Sequence, residues 1–174
     1  MKTGRILQRF LGDQRGAAAV EMALIGTFLA GVLVNAVEVG RYASMSGQVA
    51  AASQAGAHAV IINCEAGATP VNSNCPEADA ASLAAVRGAS LGTAVTRKPI
   101  TEAWYCVTGN AALAEVGPAD DRPDNCEAVG DAAQEPALYV QVRAAYDYAP
   151  LFPGLTIAET FAPTIVRSAW MRLR

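Results

Sequence analysis

Four cysteines, one histidine, a run of acids and a single glutamate inside an apolar stretch are the residues of this 174-residue chain whose types could do chemistry. Cys64, Cys75, Cys106 and Cys126 could bind a metal or pair as disulfides. Neither spacing supplies the short C-x-x-C pairs that a tetrahedral zinc site uses, and His58 is the only histidine, so disulfides are expected. Three connectivities are open. The sequence-near one, Cys64 with Cys75 and Cys106 with Cys126, is favoured because each bridge then staples a polar loop carrying proline. Asp120, Asp121, Asp124, Glu127, Asp131 and Glu135 offer the oxygen ligands that calcium takes. Yet "DDRPDNCEAVGD" lacks the ligand order and the terminal glutamate of an EF-hand, and such a run reads as a solvated surface. There is no G-x-S-x-G, no H-E-x-x-H and no phosphate-binding glycine loop, and His58 has no sequence-suggested base or nucleophile beside it. Neither an enzyme, a cofactor nor a metal is expected, and the scattered basic residues of an acidic chain do not form a nucleic-acid interface.

Glu21 is left. From Ala17 to Val37 it is the only charged residue, and at about 1.5 Å per residue this stretch matches a hydrocarbon core of about 30 Å. Ahead of it, residues 1 to 16 hold Lys2, Arg5, Arg9 and Arg15 against Asp13, a balance of +3, so the remainder carries −6 of the formal −3 total. A basic flank before the first apolar run keeps the N-terminus in the cytoplasm and sends the chain beyond about residue 38 across the membrane. No second apolar run is long enough to bring it back. All four cysteines then fall in an exported, oxidising compartment.

A secretory signal places its small-residue cleavage site after the apolar core, whereas here the informative residues come before it. "QRGAAAVE" sets Arg15 and Gly16 directly ahead of the run and Glu21 fifth after Gly16. This register resembles a type IV prepilin-like leader: a short basic segment, a glycine, then a hydrophobic helix with glutamate at its fifth position. The resemblance implies a cut between Gly16 and Ala17 by a membrane-embedded aspartyl prepilin peptidase, with Arg15 holding the bond at the cytoplasmic surface. Glycine suits the residue before the cut because it leaves an extended backbone unobstructed. The resemblance also implies that Glu21 pairs with the N-terminal amine that a neighbouring subunit gains at the cut. An ionised carboxylate in hydrocarbon is costly and needs such a partner, unless it sits among the headgroups.

"RGAAAVEMALI" is similar to the TadE-like pseudopilins of the Tad (tight adherence, Flp pilus) system, with a weaker likeness in "ALYVQVRAAYDYAPLFPGL" and "TIVRSAWMRLR". Met22 stands where an aromatic residue often follows the glutamate in that family, and a chain cut after Gly16 keeps 158 of its 174 residues, far more than a small Flp major pilin. Both features fit a minor component. Ala17 departs from the phenylalanine that type II secretion and type IVa pseudopilins tend to carry first. The partners implied are the prepilin peptidase, other pseudopilins, a Flp-type major pilin and an inner-membrane assembly platform. A single-pass anchor for an exported binding domain, never cut, is the alternative, as is a type II secretion pseudopilin.

The elements that position these residues follow from periodicity. After Val37, Glu38 and Arg41 can pair on one helical face, and Tyr42, Met45, Val49, Ala52, Gly56 and Ala59 recur at three- and four-residue steps. One helix is therefore expected from about residue 14 to 62, a membrane half (17–38) followed by an exported half, with Gly26, Gly31, Gly40 and Gly47 open to close helix approach. "CEAGATPVNSNCP" reads as a loop, "PEADAASLAAVRGASLGTAV" as a second helix, and "ITEAWYCVTG" as a strand. Residues 109–136 read as a loop with three prolines. "ALYVQVRAAYDYA" alternates as a half-buried strand, "PLFPGL" turns, and "TIAETFAPTIVRSAWMRLR" returns as a last strand that Pro163 confines to an edge or a bulge. The expected fold is α+β and pilin-like: a leader (1–16), a transmembrane helix (17–38), and an exported domain (39–174) in which the helix lies on a small antiparallel sheet with disulfide-stapled loops.

Overall fold

Between Gln14 and Asn63 the sequence is rich in alanine and free of proline, and the whole stretch forms one 50-residue helix, α1 (Gln14–Asn63). The computed structural model describes residues 14–64 and 70–173, without the side chains of Gln14, Arg15 and Asn72. The fold is α+β: this long helix, the single turn α2 (Val71–Asn74), the helix α3 (Pro76–Arg87) and five antiparallel strands. Two disulfides join Cys64 to Cys75 and Cys106 to Cys126, with Cα separations of 5.5 and 5.8 Å. The chain divides into two compact units. One holds the chain up to Tyr42 together with Pro150–Phe161, and the other holds Ala43–Ala149 with Ala162–Arg174.

In the second unit the strands are β1 (Val95–Arg97), β2 (Thr101–Val107), β3 (Leu113–Pro118), β4 (Ala137–Asp147) and β5 (Thr164–Arg172). Strand β4 is central. Along one edge it pairs with β5 from Tyr139↔Arg172 to Asp147↔Thr164. Its other edge is shared, β2 taking the first half (Thr101↔Gln141 to Tyr105↔Ala137) and β1 the second (Val95↔Tyr146 to Arg97↔Ala144). Strand β3 then pairs with β2. Leu138, Val140, Val142 and Ala144, one face of β4, are fully buried, as the alternation requires.

From Ala43 onward α1 buries Val49, Ala52, Ser53, Ala57 and Val60, a stripe at helical spacing. Each valine so buried contributes about 1.5–3 kcal/mol relative to an exposed one. Helix α3 opens with proline in its first turn beside Glu77 and Asp79, ends with Arg87, and buries Ala78, Ser82 and Val86. The charges at both ends oppose its macrodipole. Asp79 accepts from Arg97 at 2.7 Å, tying α3 to β1. The helices come closest at Gly56, where an added Cβ would lie 2.6 Å from Val86 Cγ2 and 3.1 Å from Val142 Cγ1.

Three sequence expectations are corrected here. The second helix stops at Arg87 instead of running to Val95, because Gly88 ends it and Gly92, at φ +58°, begins a turn that delivers β1. Residues 109–136 contain strand β3, which makes a hairpin with β2 closed by Thr108 and Ala112; Thr108 N–H donates to the Ala112 carbonyl at 2.8 Å. Finally, β5 begins at Thr164, and Ile157–Thr160 is a short 3-10 turn instead of strand. Pro163 sits just before β5, where its carbonyl accepts the Tyr148 N–H at 2.8 Å. Among the described strands β5 is an edge.

On β2, β4 and β5, Tyr105 meets Tyr139 and Trp170 edge-on, at centroid distances of 5.9 and 5.1 Å. Burial, and then the Glu115 carboxylate beside it, raise the Tyr105 phenol above the usual tyrosine range. Its share of the stability is thus present below the unfolded tyrosine pKa and lost as pH rises through that of the folded state.

Two glycines of α1 make opposite predictions. Gly47 has nothing within 4 Å of a would-be Cβ, so Gly47→Ala gains about 0.5–1 kcal/mol of helix propensity and raises the thermal midpoint. Gly56→Ala gains the same propensity but overpacks against two β-branched side chains at about 1–3 kcal/mol. Its midpoint should therefore fall below that of Gly47→Ala and of the parent chain in thermal unfolding of the detergent-solubilised protein.

Candidate functional site

In the first unit α1 carries two glutamates in different surroundings, Glu21 exposed and Glu38 buried. From Gly16 the first turns of α1 are exposed on every side; Met22 is 73% and Phe28 70% exposed. By length and composition this is one candidate membrane span. Among the described residues nothing lies within 4 Å of a Cβ added at Gly26, Gly31 or Gly40, so their small surfaces are open to close approach by a helix. Thr27 and Asn35, uncharged polar residues of this stretch, bond back to the helix backbone. Thr27 Oγ1 donates to the Ala23 carbonyl at 2.7 Å and Asn35 Nδ2 to the Gly31 carbonyl at 2.8 Å. A polar side chain bonded to its own helix costs little in lipid.

Glu21 lies exposed on this helix, and no described residue pairs with its carboxylate. Gly16 and Ala17 are also exposed, both inside the first turn. Ala17 and Glu21 are four apart and share a helix face. The Arg15 side chain, and the leader residues Lys2, Arg5, Arg9 and Asp13, lie outside the described residues.

Glu38, by contrast, is fully buried. Its carboxylate accepts the Leu151 N–H through both oxygens at 3.1 and 3.2 Å, and Arg41 approaches it at 3.7 Å. The pairing with Arg41 follows from their spacing. The seat for a loop 113 residues away does not, because no local pattern links them. Asn35 repeats the device: its Oδ1 accepts the Ile157 N–H at 2.9 Å. Tyr42 closes the set against Phe161, with ring centroids 4.6 Å apart. Three side chains about one turn apart on α1 thus hold the start, middle and end of Pro150–Phe161.

The other sequence-marked residues stand elsewhere. His58 is exposed on α1, and Asp120, Asp121, Asp124, Glu127, Asp131 and Glu135 are all exposed. Among the described residues no three or more metal-ligating side chains gather. The acidic segment is nevertheless pinned: Cys106–Cys126 anchors it to β2, Trp104 Nε1 donates to the Ala119 carbonyl at 3.3 Å, and Arg122 lies over the Trp104 ring at 5.3 Å. The Cys64–Cys75 bridge ties the end of α1 to the start of α3, beside a bond from Val71 N–H to Glu102 Oε1 at 2.6 Å.

If Glu38 seats the loop, Glu38→Ala should strand the Leu151 N–H at a cost of about 1–3 kcal/mol and speed its amide exchange by roughly tenfold or more. Glu38→Gln, which keeps an acceptor, should change it less; equal exchange in all three proteins would assign the seat to other contacts. Comparison of the chain with protein-family models, with curated proteins and with solved structures finds no match.

Proposed function

We propose that this chain is a minor pseudopilin of a Tad-like pilus apparatus, a structural subunit with no catalysis of its own. In this reading it crosses the bacterial cytoplasmic membrane once, N-terminus inside and C-terminal part exported. A prepilin peptidase cuts it after Gly16, and it joins other pseudopilins and a Flp-type major pilin through α1. The observation that carries the reading is Glu21: an exposed carboxylate without a described partner, the fifth residue after the proposed cut, on the exposed apolar stretch of α1. A cut at Gly16 creates an amine in the same hydrocarbon layer, so it supplies the counter-charge at the moment the subunit becomes able to assemble. The uncovered apolar surface with its small residues supports packing among helices, first in lipid and then in a fibre. An α+β fold with a long N-terminal helix on a small antiparallel sheet is compatible with this role, though fold alone assigns no function.

The N-terminal residue of the membrane-purified protein, read by mass spectrometry in cells with and without the peptidase, tests the proposal. A start at Ala17 that depends on the peptidase and is lost in Gly16→Val is the expected outcome. An intact N-terminus in both cells would favour an uncut single-pass anchor. Given cleavage, Glu21→Gln should leave the start at Ala17 unchanged while reducing recovery of the subunit in sheared surface fibres. Undiminished recovery would remove Glu21 from assembly.

A further inference from the structure

Pro150–Phe161 is short, apolar and unusually exposed for its composition. Leu151, Phe152, Leu155 and Ile157 all face outward, Leu155 with 75% of its surface free, and the only charge in the segment is Glu159. Exposed apolar residues elsewhere on the sheet, such as Val107 and Val166, are single and need no explanation. Five backbone N–H groups of this segment find acceptors within the protein. Leu151 N–H goes to Glu38, Gly154 N–H to Glu159 at 2.6 Å, Ile157 N–H to Asn35, Leu155 N–H to the Phe152 carbonyl and Phe161 N–H to the Ala158 carbonyl. Pro150 and Pro153 have no N–H to satisfy. Irregular backbone enters hydrocarbon where its polar groups are met by protein, and half of the ten N–H groups of this loop have the partners just named.

Its depth is fixed by α1. Ile157 lines an open groove of about 430 Å³ with Thr27, Phe28, Gly31, Val32 and Asn35. If the span ends near Val37, Gly31 and Phe28 lie about 9 and 14 Å inside that end at about 1.5 Å per residue. A side chain packed at their level is below the headgroups.

We propose that Pro150–Phe161 is a lipid-entering loop that seats Leu151, Phe152, Leu155 and Ile157 in the leaflet at the Val37 end of the span, alongside α1. The occupant of this apolar surface is the acyl chains of the bilayer that the helix itself crosses. The proposal rests on the span and not on the cut after Gly16. Glu38, Asn35 and Tyr42 are its positioning residues: they hold the loop against the helix at a constant depth, giving the protein a second, shallow membrane attachment.

Depth-dependent quenching tests it. The full chain carrying Leu155→Trp, and separately Phe152→Trp, is reconstituted in phosphatidylcholine vesicles whose acyl chains are brominated near the headgroup or near the chain end. Each is read as the difference from the unsubstituted chain, which supplies Trp104 and Trp170. Leu24→Trp, within the span, reports whether α1 is embedded. The expected result is loss of emission at both loop positions, greatest with shallow bromines, and at Leu24→Trp, greatest with deep ones. Quenching at Leu24→Trp alone would overturn the loop proposal and leave the span standing. A blue-shifted but unquenched loop indole would overturn it in favour of a second copy covering the loop. No quenching at any position would refute the span and the loop together.

Discussion

One helix has to satisfy two surroundings, and that constraint governs the sequence from Gln14 to Asn63. An α-helix bonds its own backbone, so only the side chains decide what may surround it. From Gly16 to Leu33 they are mostly apolar and exposed among the described residues. After Ala43 the apolar residues narrow to a stripe, and Val49, Ala52, Ala57 and Val60 disappear into the core. No break marks the change. Alanine serves both stretches because it favours the helix while adding little bulk to either surface.

Where the two regimes meet, polar side chains act by reaching backbone groups. Glu38 and Asn35 accept backbone N–H groups of Leu151, in the irregular proline-bearing part of the loop, and of Ile157, at the start of its 3-10 turn. A buried carboxylate is tolerable there because it has bonds to accept and Arg41 beside it. In the sheet, β4 plays the equivalent part: every other strand except β3 hydrogen-bonds to it, and its buried face underlies α1 and α3 near Gly56.

Long periodic signals were legible in the sequence. The length of α1, the start of α3 at Pro76, strand β2 and the alternation of β4 all follow from patterns longer than a turn or a pleat. Strand β1 is three residues and borrows its stability from β4, so its own sequence carries almost no signal. Strand β3 hides because Leu113 and Glu115 are both exposed and Gly117 and Pro118 read as breakers. The Gly109-Asn110 dipeptide was the available sign of its hairpin. Of the site, Glu21 announces itself by its apolar neighbours, and Glu38 by its spacing to Arg41. The seating of Pro150–Phe161 was invisible, since contacts across more than a hundred residues leave no local periodicity.

The position of β4 also sets a timetable. A chain made from its N-terminus completes its cysteine pairs before its last strand: Cys64 and Cys75 are 11 residues apart and Cys106 and Cys126 are 20, so each loop can close soon after its second cysteine appears. The sheet cannot. One edge of β4 waits for β5, whose last ladder residue is Arg172, so nine residue pairs form only when the end of the chain has been made. Until then β4 offers an open edge to any other strand nearby, and the interval between its appearance and the arrival of β5 is when this protein is most exposed to wrong pairing.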